Sequence, residues 1–159
     1  MDLNVLLSTA IALAAVKHKD QFDKGGNPYI LHVLKVMHYT KSVDLEVLII
    51  AVLHDIVEDT DVTYEELREI GFSERVIAGI KALTKVKGQT HDEYKAGILA
   101  NTDAIIVKMA DLRHNSDIRR LKGVTEKDIK RIVKYHNMWI ELKAALEEIT
   151  RGVEHSDYA

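Results

Sequence analysis

The chain has 159 residues, 47% apolar and 30% charged, with a net charge of −3 and no cysteine. That length suits one domain, which buries about 70% of the surface its unfolded chain would expose. The mixed, slightly acidic balance gives no electrostatic case for nucleic acid or an anionic membrane; without thiolates, any metal must rest on His, Asp or Glu.

The opening LNVLLSTAIALAAV has the apolar density of a signal-peptide core. No basic residue precedes it, however; it runs straight into KHKDQF, and it is too short to span a bilayer. An amphipathic first helix over residues 3 to 19, capped by Asp2, is the expectation, in a soluble, cytoplasmic protein. The GGN stretch at 25–27 breaks it, and Asn27-Pro28 restarts a helix as N-cap and first-turn proline, through YILHVLKVMHYT. Asp44 opens a third. Thr63 and Glu66 spell a capping box for a fourth, closed by Gly71. Ser73 caps a fifth to about Leu83, KVKGQTH is a polar loop, and a sixth lies near 91–100. Asn101 or Thr102 starts the seventh, DAIIVKMADLRHN. Thr125 starts a long last helix with Ile129, Ile132, Val133 and Ile140 on one side; with Trp139 this stripe reads as core or as an oligomer face. Strand alternation is nearly absent and proline occurs once. The fold class is therefore all-α: a compact multi-helix bundle, one domain over 1–150, with 151–159 a flexible tail.

The third helix is apolar all round from Leu45 to Leu53, which places it at the centre of the bundle. Yet it runs into His54, Asp55, Glu58, Asp59 and Asp61. Carboxylates three and four residues apart share a helix side and repel, and burial adds a desolvation cost. A divalent cation relieves both. Four residues suit it as ligands: His32, the His54-Asp55 pair and Asp111, on three different predicted helices. Two imidazoles and two carboxylates form a borderline-to-hard set that fits manganese, iron, cobalt or zinc with open positions left for water. Glu58 and Asp59 stand where they could orient or deprotonate that water. On the seventh helix Lys108, Asp111, His114 and Asn115 fall on one side. Lys108 and Asn115 suit a phosphate and a sugar, and Lys24 with the GGN turn, just before Tyr29, adds a third polar wall. The bland alternatives are a surface His-Asp pair, C-terminal helix acids and a C-cap asparagine. They would leave several acids of an apolar helix unbalanced at once. His18 and His114 are packing or supporting residues in this reading; His38, His91, His136 and His155 are surface or packing residues.

His32, then HD at 54–55, then Asp111 resembles the H…HD…D pattern of the HD phosphohydrolase superfamily. More narrowly, HKDQFDKGGNPYILH, HDIVEDTD and KMADLRHN resemble the hydrolase domain of the RelA/SpoT family and the MESH1-like small alarmone hydrolases, over about residues 5 to 120. The resemblance implies one Mn²⁺, or another divalent transition metal, on His32, His54, Asp55 and Asp111. It implies Glu58 and Asp59 as the water-activating pair, with Lys24, Tyr29, Lys108 and Asn115 toward the substrate. The reaction implied is release of the 3′-pyrophosphate from guanosine tetra- or pentaphosphate. Three positions depart from the pattern. The family's HxGQxRK is HKDQFDK here, so Asp23 replaces the arginine expected on guanine and would repel a polyanion. ADR becomes ADL, and Ile118 replaces a threonine. The metal and water machinery thus matches more closely than the base-recognising parts. Phosphohydrolysis of another nucleotide, a dNTP or nucleoside monophosphate, and a nucleotide-binding module without turnover are the alternatives.

Overall fold

Asp44 accepts the Glu46 N–H at 3.0 Å and so caps α3 (Leu45–Leu53), the helix around which the others pack. In the computed structural model, which describes residues 1–156, α3 is flanked by α1 (Leu3–Lys17), α2 (Ile30–Tyr39), α6 (Glu74–Leu83) and α8 (Thr102–Asn115). Val47 and all five residues from Ile49 to Leu53 are buried, as an all-round apolar helix requires. Burying each such side chain is worth about 1.5–3 kcal/mol. One apolar cluster runs from Leu6 on α1 to Leu142 on α9 (Glu126–Ser156). The bundle is all-α; among the described residues the sole extended pairing is a single bridge between Phe22 and Pro28.

Local chemistry sets most of the boundaries. Asp2 caps α1, whose Leu6, Ala10 and Ala14 recur every fourth residue and form its buried face. Thr63 and Glu66 close a reciprocal capping box on α5 (Tyr64–Ile70), and Gly71 ends that helix at φ 115°, a left-handed conformation that costs glycine little. Ser73, Thr90 and Asn101 cap α6, α7 (His91–Leu99) and α8.

Four expectations shift. The helix expected to carry the acids ends at Leu53, and a separate turn, α4 (Ile56–Asp59), follows. The cause is local: His54 Nδ1 lies 2.7 Å from the Ala51 carbonyl, the acceptor that the Asp55 N–H would use in an unbroken helix. Asn27-Pro28 does not cap α2. Pro28 sits in the extended bridge, Asn27 N–H donates to Asp23 Oδ1 at 2.8 Å, and α2 starts at Ile30. On α9 the buried residues are Met138 and Leu142, while Ile129, Val133 and Ile140 are exposed, so the stripe read as possible core faces outward. Finally, residues 151–156 continue α9 where a tail was expected; 157–159 lie outside the described residues.

Gly79 of α6 packs tightly on α3: an added Cβ would stand 2.5 Å from Ile50 Cδ1. Gly79→Ala should therefore destabilise by about 1–3 kcal/mol despite alanine's higher helix propensity. In an Ile50→Val background, which removes that methyl, the loss should shrink. Urea-melt midpoints of the two singles and the double check this coupling.

Candidate metal centre and adjoining cavities

The break after α3 is what turns the acids inward. His54 is 2% exposed, and with Nδ1 on the Ala51 carbonyl its Nε2 is the free ring nitrogen. That Nε2 lies 2.9 Å from Asp55 Oδ2 and 3.5 Å from Asp111 Oδ1, yet it is buried without a hydrogen-bond partner. From α2, His32 Nε2 approaches to 3.0 Å from Asp111 Oδ1 and 3.9 Å from Asp55 Oδ2. Ligand atoms of His32, His54 and Asp55 all fall within 4.8 Å of one another, and Asp111 brings a carboxylate oxygen alongside both imidazoles. An orphaned, buried ring nitrogen between two carboxylates is a donor set that fits a divalent cation.

The surroundings hold these groups in place. Tyr29 OH donates to Asp55 Oδ2 at 2.5 Å; burial and the Asp55 charge push its phenol up, so it remains a donor. Lys108 Nζ sits 2.9 Å from Asp111 Oδ2, and Asn115 Nδ2 donates to Asp111 Oδ1 at 2.9 Å. Burial works against the Asp111 carboxylate, but Lys108 and the two histidines outweigh it and hold the group well below the usual range. His114 stacks on His32, with ring centroids 5.0 Å apart and the Nδ1 atoms 2.8 Å apart. Burial, then the Arg120 charge, pull His114 down to about 4, so it stays neutral and can accept a proton-bearing His32 Nδ1. His18, buried behind the site, lies 5.2 Å from the Tyr29 ring.

The carboxylates Glu58 and Asp59 line a cavity of about 200 Å³ together with His54, Asp55, Lys108 and Asp111. Glu58 Oε1 accepts the Lys85 N–H at 2.7 Å, which leaves Oε2 uncommitted. Partial desolvation, then the charges of Asp55 and Glu58, push the Asp59 carboxyl up to about 6. Lys24 lies outside this cavity, in an adjoining one of about 230 Å³ with Phe22, Arg120 and Arg131; Tyr29, Asn115 and Tyr135 wall both. Two sequence expectations change here. Asn115 is not a free ligand-reading amide, since its Oδ1 also accepts from Arg120 Nη1 at 3.2 Å. Asp23 is not a bare carboxylate facing a polyanion, since Arg120 Nη2 lies 3.0 Å from its Oδ2; against burial, the Asn27 N–H and then Arg120 hold its carboxyl below the usual range. Arg120, Arg131, Tyr135, Lys85 and Tyr94 escaped the sequence reading because they come from the 3₁₀ turn, the α6–α7 loop, α7 and α9, outside any motif.

A family model described as HD domain matches residues 10–131. The chain belongs to the HD domain family. Among HD relatives, a guanosine-3′,5′-bis(diphosphate) 3′-pyrophosphohydrolase of Aquifex aeolicus is 36% identical over 138 residues, covering 80% of this chain and 19% of that protein. The MESH1 guanosine-3′,5′-bis(diphosphate) 3′-pyrophosphohydrolase of Danio rerio is 37% identical over 122 residues, 70% of this chain and 67% of that one. A solved structure of a metazoan ortholog of SpoT that hydrolyzes ppGpp superposes with a TM-score of 0.70 at 26% identity, covering 92% of this chain and 94% of that one. The chain thus spans about a fifth of the Aquifex relative's length. No helix among the described residues is long and apolar enough to cross a membrane.

Burial disfavours charge on His54, but Asp55 and Asp111 outweigh it and hold the imidazolium well above the ordinary range. The metal-free site therefore carries a proton that a cation must displace. Metal uptake should release a proton and weaken as pH falls below that raised value. Calorimetry with Mn²⁺ in buffers of different ionisation enthalpy measures the release.

Proposed function

We propose that this HD domain is a divalent-metal-dependent phosphohydrolase acting in the cytoplasm on guanosine 3′,5′-bis(diphosphate), with GDP and pyrophosphate as products, and GTP from the pentaphosphate. The observation that carries this reading is the pairing of two cavities. One joins the His32–His54–Asp55–Asp111 cluster to Glu58, Asp59 and Lys108; the other, sharing three of its walls, carries Lys24, Arg131 and an Arg120 paired with Asp23. A nucleotide with a diphosphate at each end has the length and charge to lie across both. The activities named for the Aquifex, zebrafish and metazoan relatives agree with it.

In this reading His32 Nε2, His54 Nε2, Asp55 and Asp111 hold the cation, with Mn²⁺ first choice for an N₂O₂ set without sulfur. When bound, such an ion supplies charge neutralisation at the phosphoryl oxygens and lowers the pKa of a water. Glu58, with Oε1 committed to the Lys85 N–H, offers Oε2 to take the proton from the attacking water. Asp59 is the second carboxylate orienting that water. The water oxygen bonds to the phosphorus next to the ribose 3′-oxygen, the bond to that oxygen breaks, and the oxygen takes up a proton as pyrophosphate leaves. Lys108, fixed between Asp111 and the Tyr94 ring 5.6 Å away, stands toward the charge that develops on the phosphoryl oxygens.

Turnover of a nucleotide panel with Mn²⁺, followed by chromatography, tests the reading. The bis(diphosphate) should give GDP and pyrophosphate, while deoxynucleoside triphosphates and nucleoside monophosphates should persist. Cleavage of those and not of the bis(diphosphate) would overturn the substrate, and no turnover of any would leave a binding module. Asp55→Ala should abolish metal uptake. Glu58→Gln keeps the acceptor for Lys85 and should retain metal while lowering kcat about 10²- to 10⁴-fold; full activity in Glu58→Gln would remove its assigned role.

A further inference from the structure

Arg120 follows Ile118 in a short 3₁₀ turn (Ile118–Arg120) between α8 and α9, and it lines the second cavity. Three of its five N–H donors are spent on the protein. Nη1 donates to the His114 carbonyl at 2.9 Å and to Asn115 Oδ1 at 3.2 Å, and Nη2 donates to Asp23 Oδ2 at 3.0 Å. These bonds anchor the fork of the guanidinium on both sides of the cavity wall, which leaves its flat face as a surface a ligand can meet. A guanidinium presented in this way stacks on planar π systems. The ring of Phe22, 63% exposed, lines the same cavity, as does Tyr135. The loop that brings in Phe22 and Asp23 touches the Arg120 turn backbone to backbone. At Gly25 an added Cβ would stand 2.0 Å from the Arg120 carbonyl oxygen, so no side chain fits between them.

We infer that Arg120 is the specificity-determining residue of the second cavity: its face stacks on the ligand's nucleobase, and Asp23 is the carboxylate that positions it. This rests on the nucleotide reading above and adds to it the group that recognises the base. Asp23 touches no ligand in this arrangement. It completes a chain in which Asp23 holds Arg120, Arg120 holds Asn115, and Asn115 holds Asp111. Lysine could not replace Arg120, because a single ammonium has neither the fork to reach Asp23 and Asn115 together nor a planar face.

The test is calorimetric binding of GDP and of inorganic pyrophosphate, which lacks a base, to the Mn²⁺-loaded protein, with thermal melts to establish folding. Arg120→Ala should weaken GDP about tenfold or more, the size of a lost base–side-chain stack, and leave pyrophosphate within twofold. Arg120→Lys should fail to restore GDP. Asp23→Asn, which keeps the bond to the Asn27 N–H, should weaken GDP in the parent protein but add no further loss on top of Arg120→Ala. An equal loss of pyrophosphate, or recovery by lysine, would reduce Arg120 to a general anion site and overturn the inference. So would additive effects of Asp23→Asn and Arg120→Ala. Turnover keeps the two proposals apart. If the parent cleaves the bis(diphosphate) while Arg120→Ala lowers kcat without raising KM, the inference falls and the substrate stands. If GDP binds through Arg120 but the bis(diphosphate) is not cleaved, the substrate falls and the inference stands.

Discussion

The contact between His54 Nδ1 and the Ala51 carbonyl governs the rest of the site. It commits one face of a buried imidazole to the backbone, which fixes both the tautomer and the ring orientation. It also takes the carbonyl that would have carried α3 forward, so the helix stops and Asp55 can turn toward α2 and α8. The buried Nε2 then faces two carboxylates without a hydrogen-bond partner of its own. That arrangement is electrostatically unfavourable unless a positive charge sits there, as a proton or a metal.

Around this point the neighbouring groups form an outer frame. Tyr29 holds Asp55, Lys108 and Asn115 hold Asp111, and His114 backs His32. Each partner leaves its ligand charged or correctly tautomerised, which is how supporting residues tune a metal site. The frame extends past the centre: Asn115 is held by Arg120, and Arg120 by Asp23, so the wall of the second cavity is mechanically continuous with a ligand carboxylate.

Much of this was legible in the residues. The caps at Asp2, Asp44, Ser73 and Asn101 and the capping box at Thr63 state their helices outright, because capping is a local matter of side chain and backbone N–H. The central place of α3 follows from its lack of a polar face. The convergence of His32, His54, Asp55 and Asp111 was readable because buried like charges call for a common counter-ion. What could not be read depended on distant partners. The break at His54 needs a side chain competing with its own helix. The role of Asp23 needs Arg120, 97 residues away along the chain. The outward turn of Ile129, Val133 and Ile140 depends on which side of α9 meets α8; Met138 and Leu142, with Tyr135, Trp139 and Leu146 beside them, took that side.

The clustered side chains come from α2, the α3–α4 joint and α8, with α5, α6 and α7 lying between the last two in the chain. During synthesis, therefore, the first half emerges with three of the four clustered residues but without the fourth. His32, His54 and Asp55 must wait for Asp111 and its lysine and asparagine to emerge and dock. Closure of the cluster is then a late event that reports completion of the bundle, and a chain stalled before α8 would carry the HD pair without the carboxylate that meets both imidazoles.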